Sequence, residues 1–232
     1  EREFSADYIC VNHHSLTYFC NQKTQKNSQE TELIYLLNLT ERQWVKHTVF
    51  HFFEGFDDLK WKKQGSVKIS FIILALFFFG VIADGRLYGY QFRFPDDKIF
   101  NIVPYFVKSV VLFIVWVVGN RAVCSVLDGE GSMKKIWIFC SYALIPYISQ
   151  LYINVVLSHI LVQDEYIFML IIKIIGTLWT GILLLSAVKA IHGFSLAKTL
   201  FAALLTLAAM FIILFLLILL LSLIQQIYVF VY

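Results

Sequence analysis

The stretch VKISFIILALFFFGVIA, residues 67–83, decides the fold, because its only charged side chain is Lys68. A helix of about 20 mostly apolar residues crosses the hydrocarbon core of a bilayer, which is about 30 Å thick. Four more apolar segments of comparable length follow, at residues 102–120, 136–161, 166–189 and 199–232. The last exceeds one bilayer thickness, so we expect it to tilt or to project beyond the membrane. The sequence predicts an all-α integral membrane protein, a bundle of about five transmembrane helices preceded by a cytoplasmic amphipathic or interfacial helix.

The composition agrees with a lipid environment. Of the 232 residues, 59% are hydrophobic and 15% are charged, whereas soluble domains hold about 45–50% apolar and about 25% charged residues. The net charge is only +3, and the basic residues form no stripe suited to nucleic acid. Nucleic acid is therefore excluded as a partner.

The basic residues near the ends of the spans predict the orientation. With five spans, three basic clusters fall on one side: Lys60, Lys62, Lys63 and Lys68; Arg121, Lys134 and Lys135; Lys189 and Lys198. On the opposite side, acidic neighbours partly offset the basic residues. Cytoplasmic loops carry the excess of Lys and Arg. We therefore expect a cytoplasmic N-terminus and an exoplasmic C-terminus, with residues 66–232 forming the transmembrane domain.

Two segments precede the first span. Residues 1–39 are polar and without clear period, which predicts a cytoplasmic arm. Cys10 and Cys20 in this arm lack the CxxC pairs of a strong zinc pattern, so we predict no metal site and no cofactor. Residues 40–65 begin with a capping box at Thr40 and carry apolar residues near helical spacing: Trp44, Val45, Val49, Phe52, Phe53 and Phe56. We expect an interfacial helix on the cytoplasmic leaflet with a basic linker; a short packed helix is the alternative.

Several segments between residue 52 and the fifth span resemble, in order, the Ypt-interacting-protein (Yip) domain family of multi-spanning membrane proteins. They are EGFDDLKWKKQGS at 54–66, WVVGNRAVCSVLDGEGSMKKIW at 116–137, SYALIPY at 141–147, LW at 178–179 and HGFSLAKTL at 192–200. The chain is most similar to the bacterial branch of the family, seen in Gram-positive bacteria.

The resemblance implies five spans, a cytoplasmic N-terminus and no established catalytic activity. Eukaryotic members act in vesicle traffic and bind prenylated small GTPases, but their short motif combining Asp-Leu-Tyr with Gly-Pro is absent from this sequence. Genes of bacterial relatives often lie beside those of carbohydrate ABC importers. The resemblance therefore implies an accessory role in such a complex.

A cytoplasmic loop between the second and third spans is the first candidate site. Its residues LDGEGS, 127–132, favour a tight turn because glycine adopts backbone conformations closed to other residues. Neither a phosphate-binding nor a calcium-binding pattern surrounds it. The alternative, which a turn could also serve, is a docking surface formed by Arg121, Asp128, Gly129, Glu130, Gly131, Lys134 and Lys135.

Polar residues within the spans form the second candidate site. Gln150, Asn154 and Ser158 recur every four residues and so share one face of the third span. Lys108, Asn154 and Lys173 each lie about 10 Å below the exoplasmic edge. One interpretation is that the polar residues form hydrogen bonds between helices and that the two lysines reach outward to the membrane surface. The other is a shared polar layer of Lys108, Gln150, Asn154 and Lys173 that binds an anionic group.

The spacing of the Ser, Cys and His residues pairs no nucleophile with a base, so we do not expect an enzyme. The favoured function is a scaffold or accessory subunit in the bacterial cytoplasmic membrane, with lipid and other membrane proteins, ABC permeases among them, as partners. A transporter or channel formed by a homo-oligomer is the second hypothesis, although five spans do not divide into two equal repeats. A trafficking adaptor for a lipidated GTPase, in a Golgi or ER membrane, is the third.

Overall fold

The computed structural model describes residues 41–50, 55–62, 65–92 and 100–231. They belong to one compact unit, residues 41–232, whereas the predicted arm 1–39 with Cys10 and Cys20 lies outside the described residues. Regular structure in the described residues is entirely helical, as predicted. Eight α-helical segments follow one another: α1 Glu41–Phe50, α2 Gly55–Lys62, α3 Val67–Arg86, α4 Val103–Val126, α5 Met133–Ala143, α6 Ile145–Ser158, α7 Tyr166–His192 and α8 Leu196–Val231.

The prediction of five spans is confirmed. Among the described residues, α3, α4, α5 with α6, α7 and α8 are long and apolar enough to cross a bilayer. The bounds differ from the predicted ones by a few residues; α4, for example, extends to Val126 instead of ending at residue 120. The third span breaks at Leu144, because Pro146 lacks the N–H that a continuous helix needs there.

Helix α7 is the central element of the bundle. It packs against α6, α5 and α2 and also contacts α8. Its side chains Leu183, Val188 and Ile191 are almost completely buried. On the other side of the bundle α3 packs against α4, α5 and α6, while the main partner of α8 is α4. Most of the described chain is therefore fixed, directly or through one neighbour, to α7.

The segment before the first span folds as two short helices, and both pack against the bundle. Trp44 and Val49 of α1 and Phe56 of α2 are buried, and the Phe56 ring stacks on Phe139 of α5 at 5.6 Å. The indole Nε1–H of Trp179, near the middle of α7, donates to the Val49 carbonyl at 3.4 Å. These contacts correspond to the packed-helix alternative more closely than to a helix lying on the leaflet, because the apolar side chains face protein.

Helix α8 leaves the bundle halfway along its length. Ala202, Ala203 and Thr206 are buried, whereas every side chain from Phe215 to Phe230 is exposed. Its 36 residues extend about 54 Å, well beyond the hydrocarbon core. Lipid is the natural environment for this apolar surface, and the excess length fits the predicted tilt or projection.

Helix α2 and the connections 127–132 and 193–195 lie at one end of the bundle, which we call the basic end. Lys60 Nζ lies 4.0 Å from Glu130 Oε2, and the Gly131 N–H reaches His192 at 3.3 Å. Lys60, Arg121 and Lys198, one from each of the three basic clusters that predicted the orientation, lie at this end.

The close packing of α6 on α7 leads to a prediction about stability. A Cβ added at Gly176 would stand 2.6 Å from Gln150 Cγ and 2.7 Å from Gln150 Cβ, whereas one added at Gly181 would meet nothing within 4 Å. Gly176→Ala is expected to lower stability by about 1–3 kcal/mol because α6 must shift. Gly181→Ala, the matched control, is expected to be neutral or stabilising by up to about 1 kcal/mol.

Thermal unfolding of the two purified variants in the same detergent measures the difference. Equal midpoints for Gly176→Ala and Gly181→Ala would contradict the described packing of α6 on α7.

Candidate functional site: an anchored loop at the basic end

The loop of residues 127–132, which we call the anchored loop, turns sharply at the end of α4. The Gly129 N–H donates to the Cys124 carbonyl at 2.7 Å, and this bond closes the turn. Asp128 has a φ of 58°, a left-handed conformation in which Asp is enriched among non-glycine residues. The predicted turn is therefore present, and an aspartate provides its left-handed position.

Gly131 is held from two directions. An Arg121 guanidinium N–H donates to its carbonyl at 2.8 Å, and its own N–H donates to Nδ1 of His192 at 3.3 Å. A Cβ added at Gly131 would stand only 2.4 Å from Cε1 of His192, and one added at Gly129 equally close to its Nδ1. The two glycines are needed because the loop backbone lies directly on the imidazole ring.

His192 continues the contact into the bundle through a chain of polar groups. Because its Nδ1 accepts from Gly131, the neutral ring carries its proton on Nε2, which donates to Asn120 Oδ1 at 3.2 Å. Asn120 Nδ2 lies 3.5 Å from Thr206 Oγ1, and that hydroxyl donates to the Ala202 carbonyl at 2.7 Å. The chain joins α7, α4 and α8 beneath the anchored loop, and Asn120 and Thr206 are fully buried.

The charged side chains of the loop point away from this anchor. Asp128, Glu130, Lys134 and Lys135 are exposed, while Arg121 is half-buried because it clamps the backbone. Of the predicted docking residues, Arg121 and Gly131 hold the loop in place and Gly129 closes its turn. The other four form its surface.

Nearby on α2, burial raises the pKa of the Asp57 carboxyl even though Lys189 and Lys60 act to lower it.

The four residues of the predicted polar layer divide into a buried pair and two exposed lysines. Gln150 and Asn154 are buried on α6 and joined by a hydrogen bond of 3.4 Å from Asn154 Nδ2 to Gln150 Oε1. Lys108 and Lys173 are exposed on the outer surface of α4 and α7. The exposed lysines agree with the alternative of lysines that reach outward, whereas the Asn154–Gln150 bond lies within α6 and is not one of the expected bonds between helices.

The buried amides nevertheless leave hydrogen-bonding capacity inside the membrane. Gln150 Nε2, Asn154 Oδ1 and Thr180 Oγ1 are buried without a hydrogen-bond partner in the described part of the chain. We call these three residues the polar seam because they lie on α6 and α7, which pack against each other. Gly176 lets α7 approach Gln150 closely. Unpaired buried groups of this kind are costly and are commonly satisfied by water or a ligand.

Sequence reasoning missed His192, Asn120 and Thr206. Each looked like an isolated polar residue near the end of an apolar run, and the three lie far apart in the chain. Their common signal was their placement within about two turns of the same predicted membrane face. Within the described residues, no three His, Cys, Asp or Glu side chains gather as metal ligands would.

Removing the ring of His192 is expected to loosen the anchored loop. His192→Ala deprives the Gly131 N–H and Asn120 Oδ1 of a partner, each loss costing about 1–3 kcal/mol. Amide hydrogen exchange at residues 129–131 is expected to accelerate about tenfold or more. His159→Ala is the matched control, because His159 is exposed at the opposite end and contacts the Leu87 carbonyl.

An unchanged exchange rate in His192→Ala would contradict the anchoring role. So would an equal acceleration at residues 129–131 in His159→Ala.

Comparison with known proteins places this architecture in a family. The Yip1 domain family matches residues 46–220, which include α2 to α7, most of α8 and the anchored loop. No curated protein and no solved structure matches the chain significantly. The match covers well over half of the 232 residues. The family consists of membrane proteins, in agreement with the five apolar helices of this chain. The chain belongs to the Yip1 domain family of multi-spanning membrane proteins.

Proposed function

We propose that this protein is a non-enzymatic scaffold or accessory subunit of a membrane complex, and that it binds its partner through the anchored loop. The observation that carries the proposal is the contrast within the loop. Its backbone is fixed by Arg121 and His192, while Asp128 and Glu130 are exposed. A surface held in one conformation loses little entropy on binding, which favours recognition.

The surroundings of the loop enlarge the surface. Lys134 and Lys135 begin α5 beside it, and Lys60 of α2 approaches Glu130. Charges of both signs side by side favour a partner with a complementary pattern and contribute more to specificity than to affinity. The same surface carries most of the basic residues near the spans, so we assign it to the cytoplasm.

A partner in the same membrane fits this geometry best. The resemblance to the bacterial branch supports a carbohydrate ABC importer, whose permease subunits would present cytoplasmic loops at the same height. In this proposal the protein lies in the bacterial cytoplasmic membrane, with its N-terminus cytoplasmic and its C-terminus exoplasmic.

Charge reversal in the loop tests the partner surface. Glu130→Lys is expected to lower recovery of the partner about tenfold, since opposed like charges cost several kcal/mol at an interface, without lowering stability. Asp164→Lys is the matched control, because Asp164 is an exposed acid at the opposite end. The measurement is quantitative mass spectrometry of proteins copurified from native membranes in mild detergent. Recovery that is equal in both variants and in the unaltered protein would refute the docking surface.

The orientation has a separate test. A thiol introduced by Glu130→Cys is expected to react with a membrane-impermeant maleimide only after the cytoplasmic side is opened. Asp164→Cys is expected to react in intact cells. The reverse pattern would place the basic end outside and contradict the assignment.

A transporter or channel is the second candidate, and the polar seam is the observation that favours it. Gln150, Asn154 and Thr180 provide unpaired polar atoms within the membrane, which is where solute pathways place such groups. Reconstituted vesicles distinguish the two functions. A solute flux that Asn154→Leu abolishes would support transport, whereas copurification of a partner that survives Asn154→Leu but not Glu130→Lys would support the scaffold.

A further inference from the structure

A second surface at the basic end has a different character from the anchored loop. An apolar groove with a volume of about 290 Å³ lies between α3, α4 and α5. Val117 of α4, which is 2% exposed, lies on its inner side. Phe71, Ile114 and Val118 line it and are exposed on the outer surface of the bundle. The groove therefore opens sideways, toward the lipid that surrounds the spans.

Trp137 of α5 lines the groove and packs against both α3 and α4. Its ring centre lies 5.4 Å from that of Phe71 in a tilted contact and 5.0 Å from that of Phe113 in an edge contact. Its Nε1–H is buried without a hydrogen-bond partner in the described part of the chain. An indole at this level of a membrane protein commonly combines apolar contact with a hydrogen bond to the interface.

Two exposed lysines flank the groove, whose lining is itself apolar. Lys134 lines it, and the exposed Lys68 follows Val67, another lining residue, in the first turn of α3. Helices α3 and α5 both begin here, and neither has an acidic residue in its first turn. Their N-termini add partial positive charge. The nearby Glu130 is exposed, and the lysine that it approaches is Lys60, at 4.0 Å.

The depth of the groove matches that of a lipid in the leaflet. Val67 and Met133 line it and are the first residues of their spans, and Phe71 lies one helical turn, about 6 Å, deeper. A headgroup at the level of Lys134 would therefore have its acyl chain beside the apolar wall. A volume near 300 Å³ is at the low end of ligand sites and suits one chain better than a bulky ligand.

We propose that this groove binds one anionic phospholipid of the surrounding membrane, with an acyl chain along Val117 and Val118 and the phosphate beside Lys134. The site adjoins the anchored loop and shares Lys134 with the surface around it, but lipid binding does not depend on the proposed scaffold function. A bound anionic lipid would cover the apolar surface between α3, α4 and α5. A neutral lipid would not be held there in the same way.

The test uses the full chain in nanodiscs of phosphatidylcholine doped with phosphatidylglycerol, followed by native mass spectrometry of the released protein with its retained lipid. We expect one retained phosphatidylglycerol per chain in preference to phosphatidylcholine. Lys134→Gln is expected to lower that retention about fivefold, the effect of one basic residue near a lipid surface. Lys108→Gln removes an exposed lysine from the far end of α4 and should leave retention unchanged.

A second pair of variants tests the groove itself. Val118→Trp fills it from an exposed position, whereas Val126→Trp adds the same ring at the exposed end of α4, outside the lining. Only Val118→Trp should abolish retention while thermal stability is preserved. Equal retention of the two lipids would overturn the proposal, as would phosphatidylglycerol retention indifferent to both Lys134→Gln and Val118→Trp.

Discussion

The imidazole of His192 is the interaction on which the basic end depends. It stands at the last residue of the central helix α7, accepts from the backbone of the anchored loop and donates to Asn120 on α4. Within a membrane protein such polar contacts are retained because the alternative is an unpaired group away from water. One neutral ring thereby fixes the end of α7, the end of α4 and the connection between α4 and α5.

The same arrangement explains why two distant segments carried the family resemblance. The stretch 116–137 supplies Asn120, Arg121 and the anchored loop, and the stretch 192–200 begins with His192. The structure brings these two segments into direct contact. Phe194 stacks on His192 at 5.4 Å, and Lys198 lies over the Phe194 ring at 4.3 Å. The resemblance therefore marks one structural unit and not two independent motifs.

Much of the fold could be predicted from sequence, because the bilayer restricts the answer. An apolar run such as 67–83 has few alternatives to a spanning helix, and Gln150 and Asn154 were predicted to share a face that the structure buries. The partners of single residues could not be predicted. Periodicity shows that Lys108 and Lys173 share a depth with Asn154, but not that both lysines lie on outer surfaces. Rotation of each helix about its own axis is set by packing.

The helix pair α1 and α2 shows the same limit. The spacing of apolar residues from Trp44 to Phe56 predicts a helix with one apolar face. Such a face could contact lipid or protein equally well. The contact of Trp179 with Val49 and the stacking of Phe56 on Phe139 decide for protein. These contacts join residues more than 80 positions apart, and no local pattern encodes them.

Both proposals place function at the basic end, where the anchored loop and the lipid-facing groove lie close to the start of α5. The most direct measurement of the central claim is site-specific photo-crosslinking in native membranes, with a photoreactive residue in place of Glu130 or of Asp164. The account predicts a defined crosslink to another membrane protein from position 130 and none from position 164. No crosslink from position 130, or the same products from both positions, would contradict it.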